Sequence, residues 1–425
     1  MRGRVKNIAA APPAVGTPGL ARAMQRAERR RRVTAIMLTL PLLVFLLATL
    51  LVPIGALLVR AVENPEVARN LPRTGDALAG WDRKSEPPAA AFAAIAKDLS
   101  ALDEGSQAGA LARRLNTEVA GARSLIMGTY RATQGAWKDQ PAASDAESRE
   151  RMVALDERWT ELKYWQAIAK NASRWTPDYL LTAVDLRRSI DGGLERVAED
   201  QRVFTGILLR TLEISAEVTL LCLLLAYPLS YWLSTLPARQ ANVLMILVLV
   251  PFWTSILVRV AAWIVLLQRE GLVNSALQSL SIIGEPLPLL FNRTGVLVSM
   301  THILLPFMIL PLYSVMKSVP PTYLRAAISL GSAPLAAFFR VYVPQTYPGI
   351  GAGALLVFIL AIGYYVTPAL LGGPNDQMIS YYIAQYTNVD VNWGMACALG
   401  GVLLAATLIL YAAYRRFAKA ELSLG

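Results

Sequence analysis

The chain has 425 residues and a formal net charge of +11; 55% of its residues are hydrophobic and only 17% are charged. Soluble domains carry about 25% charged residues, so the composition argues against an ordinary soluble protein. The charge is also unevenly distributed, because residues 60–203 hold 43 of the 71 charged side chains and residues 1–33 hold ten. The remaining 248 residues hold only 18, which is typical of membrane-embedded protein.

The cysteine and histidine content excludes several kinds of site. Cys222 and Cys397 lie in separate apolar stretches, and His302 is the only histidine. This set cannot build a disulfide framework or a cysteine-ligated zinc site, and it disfavours an enzyme with a His-dependent triad. The sequence has no glycine-rich phosphate-binding loop of the Walker type. We therefore expect no metal, no cofactor and no ATP hydrolysis by this chain.

The N-terminal tail, residues 1–33, holds nine basic residues and one acidic residue and ends where the first apolar run begins. Basic residues in this position fix the orientation of a membrane segment. A nucleic-acid-binding arm would carry interleaved aromatic residues, and the tail has none. We therefore expect membrane lipid, and no nucleic acid, as the neighbour of this tail.

Apolar runs predict an all-α integral membrane protein with six transmembrane helices. A spanning helix needs about 20 apolar residues at roughly 1.5 Å each. The runs lie at 34–59, 206–235, 243–267, 294–316, 347–371 and 394–414. Six spans put both termini on one side, and the excess of Lys and Arg on that side predicts cytoplasmic N- and C-termini. The first run and its tail are too long for a signal peptide, which predicts an uncleaved anchor.

Residues 60–203, between the first two spans, are predicted to form a helical extracytoplasmic insert. They hold 21 basic and 22 acidic residues, and a segment this long translocates regardless of its charge. Apolar residues recur at helical spacing in three series: Phe92, Ile95 and Leu99; Leu111, Leu115, Val119, Ala122 and Ile126; Met152, Leu155, Trp159, Leu162 and Trp165. The predicted organisation is a tail (1–33), a first span (34–59), the insert (60–203) and a five-span core (204–425). A spacer or a stabilising cap is the simplest role for the insert.

One loop on the predicted cytoplasmic side, residues 317–346, carries a recognisable pattern. Two consecutive prolines suit the start of a helix, Gly331 suits the position after its end, and a further proline restarts a helix. The sequence therefore predicts two short helices, 321–330 and 333–343, braced against the membrane helices. Such a rigid knob would let a partner push on the bundle without the push being absorbed by a loose loop.

This loop resembles the cytoplasmic signature of the membrane permease subunits of ATP-binding-cassette importers. That signature consists of Glu-Ala-Ala, three residues, Gly, nine residues and Ile-x-Leu-Pro. The chain has the same spacing in Arg325, Ala326, Ala327, Gly331, Val341, Val343 and Pro344. Arg325 replaces the glutamate and reverses its charge, so the resemblance carries over no ionic contact made by that glutamate.

Three further stretches, 251–259, 304–313 and 366–373, are similar to permeases of the spermidine/putrescine type. The likeness covers about residues 200–420 and leaves most of the insert outside it. It implies a type I importer bundle in the bacterial inner membrane that forms the solute path and couples ATPase closure to alternating access. The implied partners are ATPase subunits, a second permease subunit and a periplasmic solute-binding protein. The implied solute is a polyamine or a related small molecule.

Four residues are candidates for the solute path or its gate. Arg259 lies within the third run, where a charge at the bilayer centre costs roughly 2.5–3.5 kcal/mol, so it should face protein or water unless it snorkels to the interface. Glu213 and Glu217 share one helix face; they could attract a cationic solute or form an ion pair with Arg210. Trp253 could stack on a cation, or it could serve only for packing.

Two other functions stay open at this point. An ion-coupled secondary transporter would need buried acidic residues and internal repeats, and the apolar runs contain few acidic residues and no clear repeat. A membrane-anchored ligand sensor would need a large cytoplasmic output domain, whereas about ten residues follow the last run. Neither alternative accounts for the pattern in loop 317–346.

Overall fold

The computed structural model describes residues 18–138, 142, 144–189 and 193–422. Residues 1–17 of the predicted basic tail, and Pro141, lie outside the described residues. The chain divides into two compact units between Ala56 and Leu57. The second unit contains both the insert and the helices that follow it, so the boundary between the insert and the five-span core stays a prediction.

Helix α1 (Pro18–Arg60) is continuous for 43 residues and includes the predicted first span. Two prolines lie inside it without ending it. The hydroxyl groups of Thr39 and Thr49 donate to backbone carbonyls one turn earlier, at 2.9 and 2.8 Å. A hydrocarbon environment requires polar groups to be satisfied internally in this way, so the uncharged part of α1 is suited to crossing a bilayer.

The described part of the insert contains eight short α-helices and one hairpin. The helices are α2 (Pro65–Asn70), α3 (Pro72–Ala77), α4 (Ala89–Ser100), α5 (Gly105–Asn116), α6 (Ala122–Gln134), α7 (Asp145–Leu155), α8 (Leu162–Asn171) and α9 (Asp178–Thr182). Strands β1 (Leu186–Arg188) and β2 (Leu194–Arg196) are antiparallel, with Leu186 opposite Arg196. The predicted helical character of the insert is confirmed, and the hairpin is a feature that we did not predict.

Three aromatic side chains form the centre of the insert. Phe92, Trp159 and Trp165 are buried, and the Trp165 ring centroid lies 4.5 Å from that of Phe92 and 5.1 Å from that of Trp159. Both indole N–H groups have acceptors, because Trp159 donates to Thr129 Oγ1 at 3.1 Å and Trp165 donates to the Trp159 carbonyl at 2.8 Å. The insert thus buries large rings without leaving their polar edges unpaired.

Only the first of the three predicted helical series lies on one helix, α4. The second series crosses a break, since α5 ends at Asn116 and α6 begins after Gly121, whose φ is +88°. The third series was wrong as a continuous helix, because the Asp156 side chain accepts from the Arg158 N–H and caps a separate 3-10 turn between α7 and α8. Leu155 is consequently 43% exposed.

Twelve α-helices in the described chain form the rest of the second unit, and three of them lie in loop 317–346. They are α10 (Phe204–Thr235), α11 (Ala238–Leu249), α12 (Ile256–Leu267), α13 (Leu272–Ser279), α14 (Arg293–Ser318), α15 (Pro321–Ser329), α16 (Pro334–Ala337), α17 (Val343–Gln345), α18 (Tyr347–Ile362), α19 (Val366–Leu371), α20 (Ile379–Asn388) and α21 (Trp393–Leu422). Helices α10, α14 and α18 pack against one another. A Cβ on Gly353 would lie 2.7 Å from the Met308 sulfur and 3.2 Å from the Met308 carbonyl oxygen, so glycine favours the close approach of α18 to α14.

The predicted all-α membrane fold is confirmed, whereas the number of spans is not. By length and composition, three described stretches can cross a membrane: Glu28–Arg60, Arg293–Ser318 and Trp393–Arg416. Two bent helix pairs raise this number to five. Helix α10, our second predicted span, is not among them, so the total of six stays a prediction.

Two predicted spans were wrong as continuous helices. The run 243–267 is broken after Trp253. The segments Ala238–Trp253 and Ile256–Ser279 make an angle of 94° with each other. The run 347–371 is also interrupted, because α18 ends at Ile362 and α19 begins only at Val366. Hydropathy averaged over a window does not locate such breaks, since the two or three less apolar residues at each of them do not end an apolar run.

Candidate functional site

The first half of loop 317–346 has the predicted form. Helix α15 ends in a Schellman motif, in which the Gly331 N–H donates to the Ile328 carbonyl at 3.0 Å and the Ser332 N–H donates to the Ala327 carbonyl at 3.1 Å. The φ of Gly331 is +94°, and no described heavy atom lies within 4 Å of the place its Cβ would take. The backbone conformation, and not lack of space, therefore favours glycine here.

The second half of the loop differs from the prediction of one helix over 333–343. Helix α16 passes into a π-helical turn, Phe338–Tyr342, which is followed by α17. This turn places the rings of Phe338 and Tyr342 in a stack, with centroids 5.4 Å apart and planes 18° apart. Isolated π-helical turns are rare and occur frequently at functional sites.

Four aromatic side chains, which we call the aromatic anchor, attach this half of the loop to α10; they are Tyr227, Tyr231, Phe338 and Tyr342. The Tyr231 ring centroid lies 5.2 Å from both Phe338 and Tyr342, in edge-to-face geometry. Tyr227 lies 6.4 Å from Phe338, also edge-on. Such ring pairs contribute roughly 0.5–1.5 kcal/mol each beyond the burial of their area, so the loop is held firmly to the bundle.

Polar contacts reinforce both ends of the loop. Lys317 Nζ donates to the carbonyl oxygens of Ser234 and Leu236, at 3.1 and 2.9 Å. These carbonyls lie at the C-terminal end of α10, where the helix dipole favours a cation. At the other end, the Tyr227 hydroxyl and Thr346 Oγ1 are 3.1 Å apart. The loop is therefore bonded to α10 where it begins and where it ends.

The structure separates the seven signature residues into two groups. Arg325, Ala326 and Gly331 are exposed, whereas Ala327, Val341, Val343 and Pro344 are half-buried. The Arg325 guanidinium forms no salt bridge with any residue that the structure describes. The exposed group is free to meet a partner, while most of the half-buried group belongs to the segment that contacts α10.

Five large apolar side chains stand exposed on the loop, and we call them the coupling face; they are Tyr323, Ile328, Leu330, Leu335 and Phe339. Leu330 is 89% exposed and Leu335 is 75% exposed. An exposed apolar group of this kind, on a compact and well-anchored knob, marks a protein-interaction surface.

A second candidate region surrounds the bend at residues 250–255. The chain there forms a 3-10 turn, Val250–Trp253, before α12 begins. Trp253 is 79% exposed, and Thr254 and Ser255 are exposed as well. Irregular backbone at membrane depth is tolerated only where protein or a water-filled cavity covers it. Because the bend lies in a run that we predict to be in the membrane, we expect it to face protein or a water-filled path.

Arg259 lies on α12, one turn after this bend, and is half-buried. Its Nε has no hydrogen-bond partner among the described residues. On the same helix, Trp263 Nε1 donates to His302 Nδ1 of α14 at 3.2 Å. Arg259 thus shares α12 with the hydrogen bond that joins this helix to α14. Trp253 forms no ring contact within the described chain.

Glu213 and Glu217 form an ion pair with Arg293. Arg293 donates to Glu217 through Nε and Nη2, at 3.0 and 3.1 Å, and its Nη2 lies 3.0 Å from Glu213 Oε2. The predicted alternative partner, Arg210, was wrong, because α14 begins at Arg293 and packs along α10. The two carboxylates share one cation, Arg293, and Arg210 on the same helix brings the total charge of these four side chains to zero.

Arg293, Lys317 and the aromatic anchor are functional candidates that we did not predict. Arg293 and Lys317 stand at the two ends of the charge-free run 294–316, a position that suits residues at the two membrane faces. The anchor was visible as Tyr227 with Tyr231 and as Phe338 with Tyr342, each pair being four residues apart. That spacing puts two rings on one helix face, but it does not show which rings meet.

Known proteins resemble the second half of the chain. Residues 223–421 match the family described as binding-protein-dependent transport system inner membrane component. The chain is 34% identical over 210 residues to the spermidine/putrescine transport system permease protein PotB of Escherichia coli (strain K12), which covers 49% of this chain and 76% of the relative. The protein of the same name from Haemophilus influenzae is 35% identical over 209 residues, covering 49% and 73%.

A chain of a bacterial alginate ABC transporter, solved in complex with an alginate pentasaccharide-bound periplasmic protein, is also similar. It has a TM-score of 0.43 and 17% identity, and the match covers 52% of this chain and 80% of that chain.

The family match includes loop 317–346 and excludes residues 60–203. The resemblance that we inferred from the spacing of the loop signature is therefore confirmed, and it is independent of the insert. The matches to the two PotB relatives cover more than two thirds of each relative's length, at more than 30% identity. The chain belongs to the family of binding-protein-dependent transport system inner membrane components.

Proposed function

We propose that this chain is the permease subunit of an ATP-driven importer for polyamines such as spermidine and putrescine. Its partners are ATPase subunits, a second permease subunit and an extracytoplasmic solute-binding protein. The observation that carries this proposal is the coupling face, an exposed apolar surface on a loop that is anchored to the membrane helices. The names of the PotB relatives support the solute class. The distribution of Lys and Arg supports cytoplasmic termini.

The loop transmits force because it is attached to α10 at several points. An ATPase subunit that binds the coupling face would move Leu330 and Leu335, and the Schellman motif at Gly331 keeps the two halves of the loop in a fixed relation. The aromatic anchor and Lys317 then pass the displacement to α10. ATP must favour one orientation of the bundle over the other, since a ligand with equal affinity for both states shifts nothing.

The solute path runs beside the bend at residues 250–255. Trp253 presents an exposed ring that can stack on a cationic solute. Arg259 repels such a solute and serves as a gate. The Glu213–Glu217 pair presents two carboxylates to an approaching cation, and Arg293 is already paired with both of them.

The coupling assignment is tested in proteoliposomes that contain the chain, its second permease and its ATPase subunits. Leu335→Asp should abolish co-purification of the ATPase and ATP-driven uptake, because it puts a charge into an apolar contact. The matched control is Leu194→Asp in the insert, which changes a leucine that is 69% exposed and lies outside the loop. Uptake that survives Leu335→Asp would overturn the assignment.

The solute assignment is tested separately. Uptake of radiolabelled spermidine and putrescine is measured with the binding protein present, and binding of each solute to that protein is measured by calorimetry. ATP-dependent uptake of a polyamine supports the proposal. ATP-driven uptake of another solute would overturn the polyamine assignment and keep the permease function, whereas uptake that needs no ATPase would overturn both.

A further inference from the structure

The insert contacts α21 through the ring of Tyr179, which packs directly against Gly394. Tyr179 of α9 is 6% exposed, and Gly394 is the second residue of α21. A Cβ on Gly394 would lie 2.5 Å from Tyr179 Cζ, so the ring occupies the space that any larger residue would need. The contact connects a part of the chain that the family match excludes with a part that it includes.

Arg114 holds Tyr179 from the side of the insert. Its guanidinium carbon lies 4.9 Å from the centroid of the Tyr179 ring. Arg114 is 7% exposed and donates to Asn64 at 3.2 Å, to Asn171 at 2.6 Å and to Glu118 at 3.0 Å. A buried guanidinium with this many acceptors is fixed in position, and it therefore fixes the ring.

The same segment of the insert caps α10. Asp185, three residues after α9, is 4% exposed and accepts from the N–H groups of Val203 and Phe204, both at 3.1 Å, and from the Thr205 N–H at 2.7 Å. These are unpaired donors of the first turn of α10, and a carboxylate also suits the positive end of the helix dipole. Asp185 has a φ of +55°, a left-handed conformation that Asp tolerates better than most residues.

A common apolar core surrounds these two contacts. Tyr179 and Ala183 from the insert pack with Ile207 of α10, Ile379 of α20 and Leu399 of α21. All five side chains are buried. The insert is therefore continuous with the ends of three membrane-region helices and is not a domain on a flexible tether.

We propose that the segment 178–185 is a clamp that keeps the outer ends of α10 and α21 together throughout transport, with Tyr179 and Asp185 as its positioning residues. This rests on the proposed function, because it assigns the insert a part in alternating access. The path must then open between the clamped helices and the remaining helices. A spacer or a passive cap would not require the insert to move with α10 and α21.

The first test measures the clamp without nucleotide or solute. Nitroxide labels are placed at Leu155 in the insert and at Val389 before α21, both exposed, in a background with the two native cysteines replaced. The full chain is reconstituted in nanodiscs, and the distance is measured by double electron–electron resonance. We expect one narrow distance. Gly394→Ala should broaden it, because the new methyl group displaces the Tyr179 ring.

The matched control is Gly401→Ala, on the same helix. Its Cβ would lie 3.5 Å from the Leu58 side chain, an ordinary contact, so the narrow distance should persist. Tyr179→Phe keeps the ring and should also keep the narrow distance, whereas Tyr179→Ala should broaden it. If Gly394→Ala and Tyr179→Ala both leave the distance narrow, the clamp is overturned whatever the chain transports.

The second test follows the same labels in the assembled complex, without nucleotide and trapped with ATP and vanadate. The clamp predicts an unchanged distance between Leu155 and Val389, together with a loss of ATP-driven uptake in Asp185→Ala that Asp185→Asn partly rescues by keeping an acceptor oxygen. A distance that changes with trapping in the wild type, or Asp185→Ala with normal uptake, would overturn the clamp. Failure of the ATPase to bind the chain would overturn the proposed function and leave the nanodisc result standing.

Discussion

The ring of Tyr231 meets the ring of Phe338 edge-on, with centroids 5.2 Å apart. This pair joins α10 to the loop that carries the coupling face, across more than a hundred residues of sequence. In the proposed function, this pair passes a displacement of the coupling face to α10. The first prediction follows from it.

Tyr231→Ala should uncouple the importer. It removes two edge-to-face ring pairs, each worth about 1 kcal/mol beyond area, and it leaves the exposed coupling face intact. We expect the ATPase to co-purify with the variant while solute-driven stimulation of ATP hydrolysis is largely lost. Tyr411→Ala, which removes an exposed tyrosine on α21, is the control and should behave as wild type. Normal stimulation of ATP hydrolysis by solute in Tyr231→Ala would show that the coupling face is connected to the membrane helices through other contacts.

Gly331→Val should abolish coupling while leaving membrane insertion intact. The φ of +94° is strained for a β-branched residue, at a cost of on the order of 1–3 kcal/mol. Gly331→Asn is the informative partner variant, because Asn adopts left-handed conformations readily and the surrounding space is open. ATP hydrolysis stimulated by solute should therefore be lost in the valine variant and largely kept in the asparagine variant. Equal activity of the two would contradict the role assigned to the Schellman motif.

Arg293→Met should weaken the contact between α10 and α14. The substitution leaves Glu213 and Glu217 close together without their cation, and because these side chains are partly exposed we expect a loss of about 1 kcal/mol in stability. The double variant Arg293→Met with Glu217→Gln should recover part of that loss. Thermal unfolding of the purified chain in detergent measures both effects, and strict additivity of the two substitutions would argue against the ion pair.

The insert should lose stability at acidic pH. Burial alone would raise the pKa of Glu118, but Arg114 and Lys170 hold it below its ordinary value. Burial would likewise raise the pKa of Asp185, but its hydrogen bonds to Thr205, Phe204 and Val203 lower it. The folded state therefore binds fewer protons than the unfolded state between the lowered and the ordinary pKa values. Stability should be constant above about pH 5 and should fall as the pH drops below roughly 4.

Hydrogen exchange of α5 and of the first turn of α10, measured in the full chain from pH 7 down to about pH 3 and corrected for the intrinsic rate, checks this. The Glu118→Gln variant provides the comparison, because its amide has no charge to lose, and its protection in α5 should change less with pH. If protection in α5 falls equally steeply with pH in the variant and in the wild type, the pH dependence belongs to other groups.

Tyr179 should not contribute to this pH dependence. Burial raises its pKa to about 12, so the hydroxyl keeps its proton over the whole range in which the carboxyl groups titrate.

How far the sequence predicts this molecule differs from element to element. Loop 317–346 was predictable because prolines and Gly331 impose local backbone conformations. The π-helical turn at Phe338–Tyr342 was not, since it depends on rings that pack from α10. The bend after Trp253 was also missed, because two polar residues, Thr254 and Ser255, do not end an apolar run when hydropathy is averaged over a span.

The candidate site shows the same division. The spacing of Glu213 and Glu217 correctly puts both on one helix face, but their cation lies far along the chain, at Arg293. Local spacing favoured Arg210, the nearest basic residue on the same helix. Choosing between them requires knowing that α14 packs along α10, which is tertiary information.

The packing of the Tyr179 ring against Gly394 has a consequence for biosynthesis. Tyr179 is translated more than two hundred residues before its partner Gly394. Until α21 is inserted, the ring and the apolar surface around it lack their final cover, and contacts between residues so distant in sequence form late. The insert is therefore most exposed to proteases and chaperones before α21 has been synthesised. A chain truncated before α21 should keep the insert in that exposed condition.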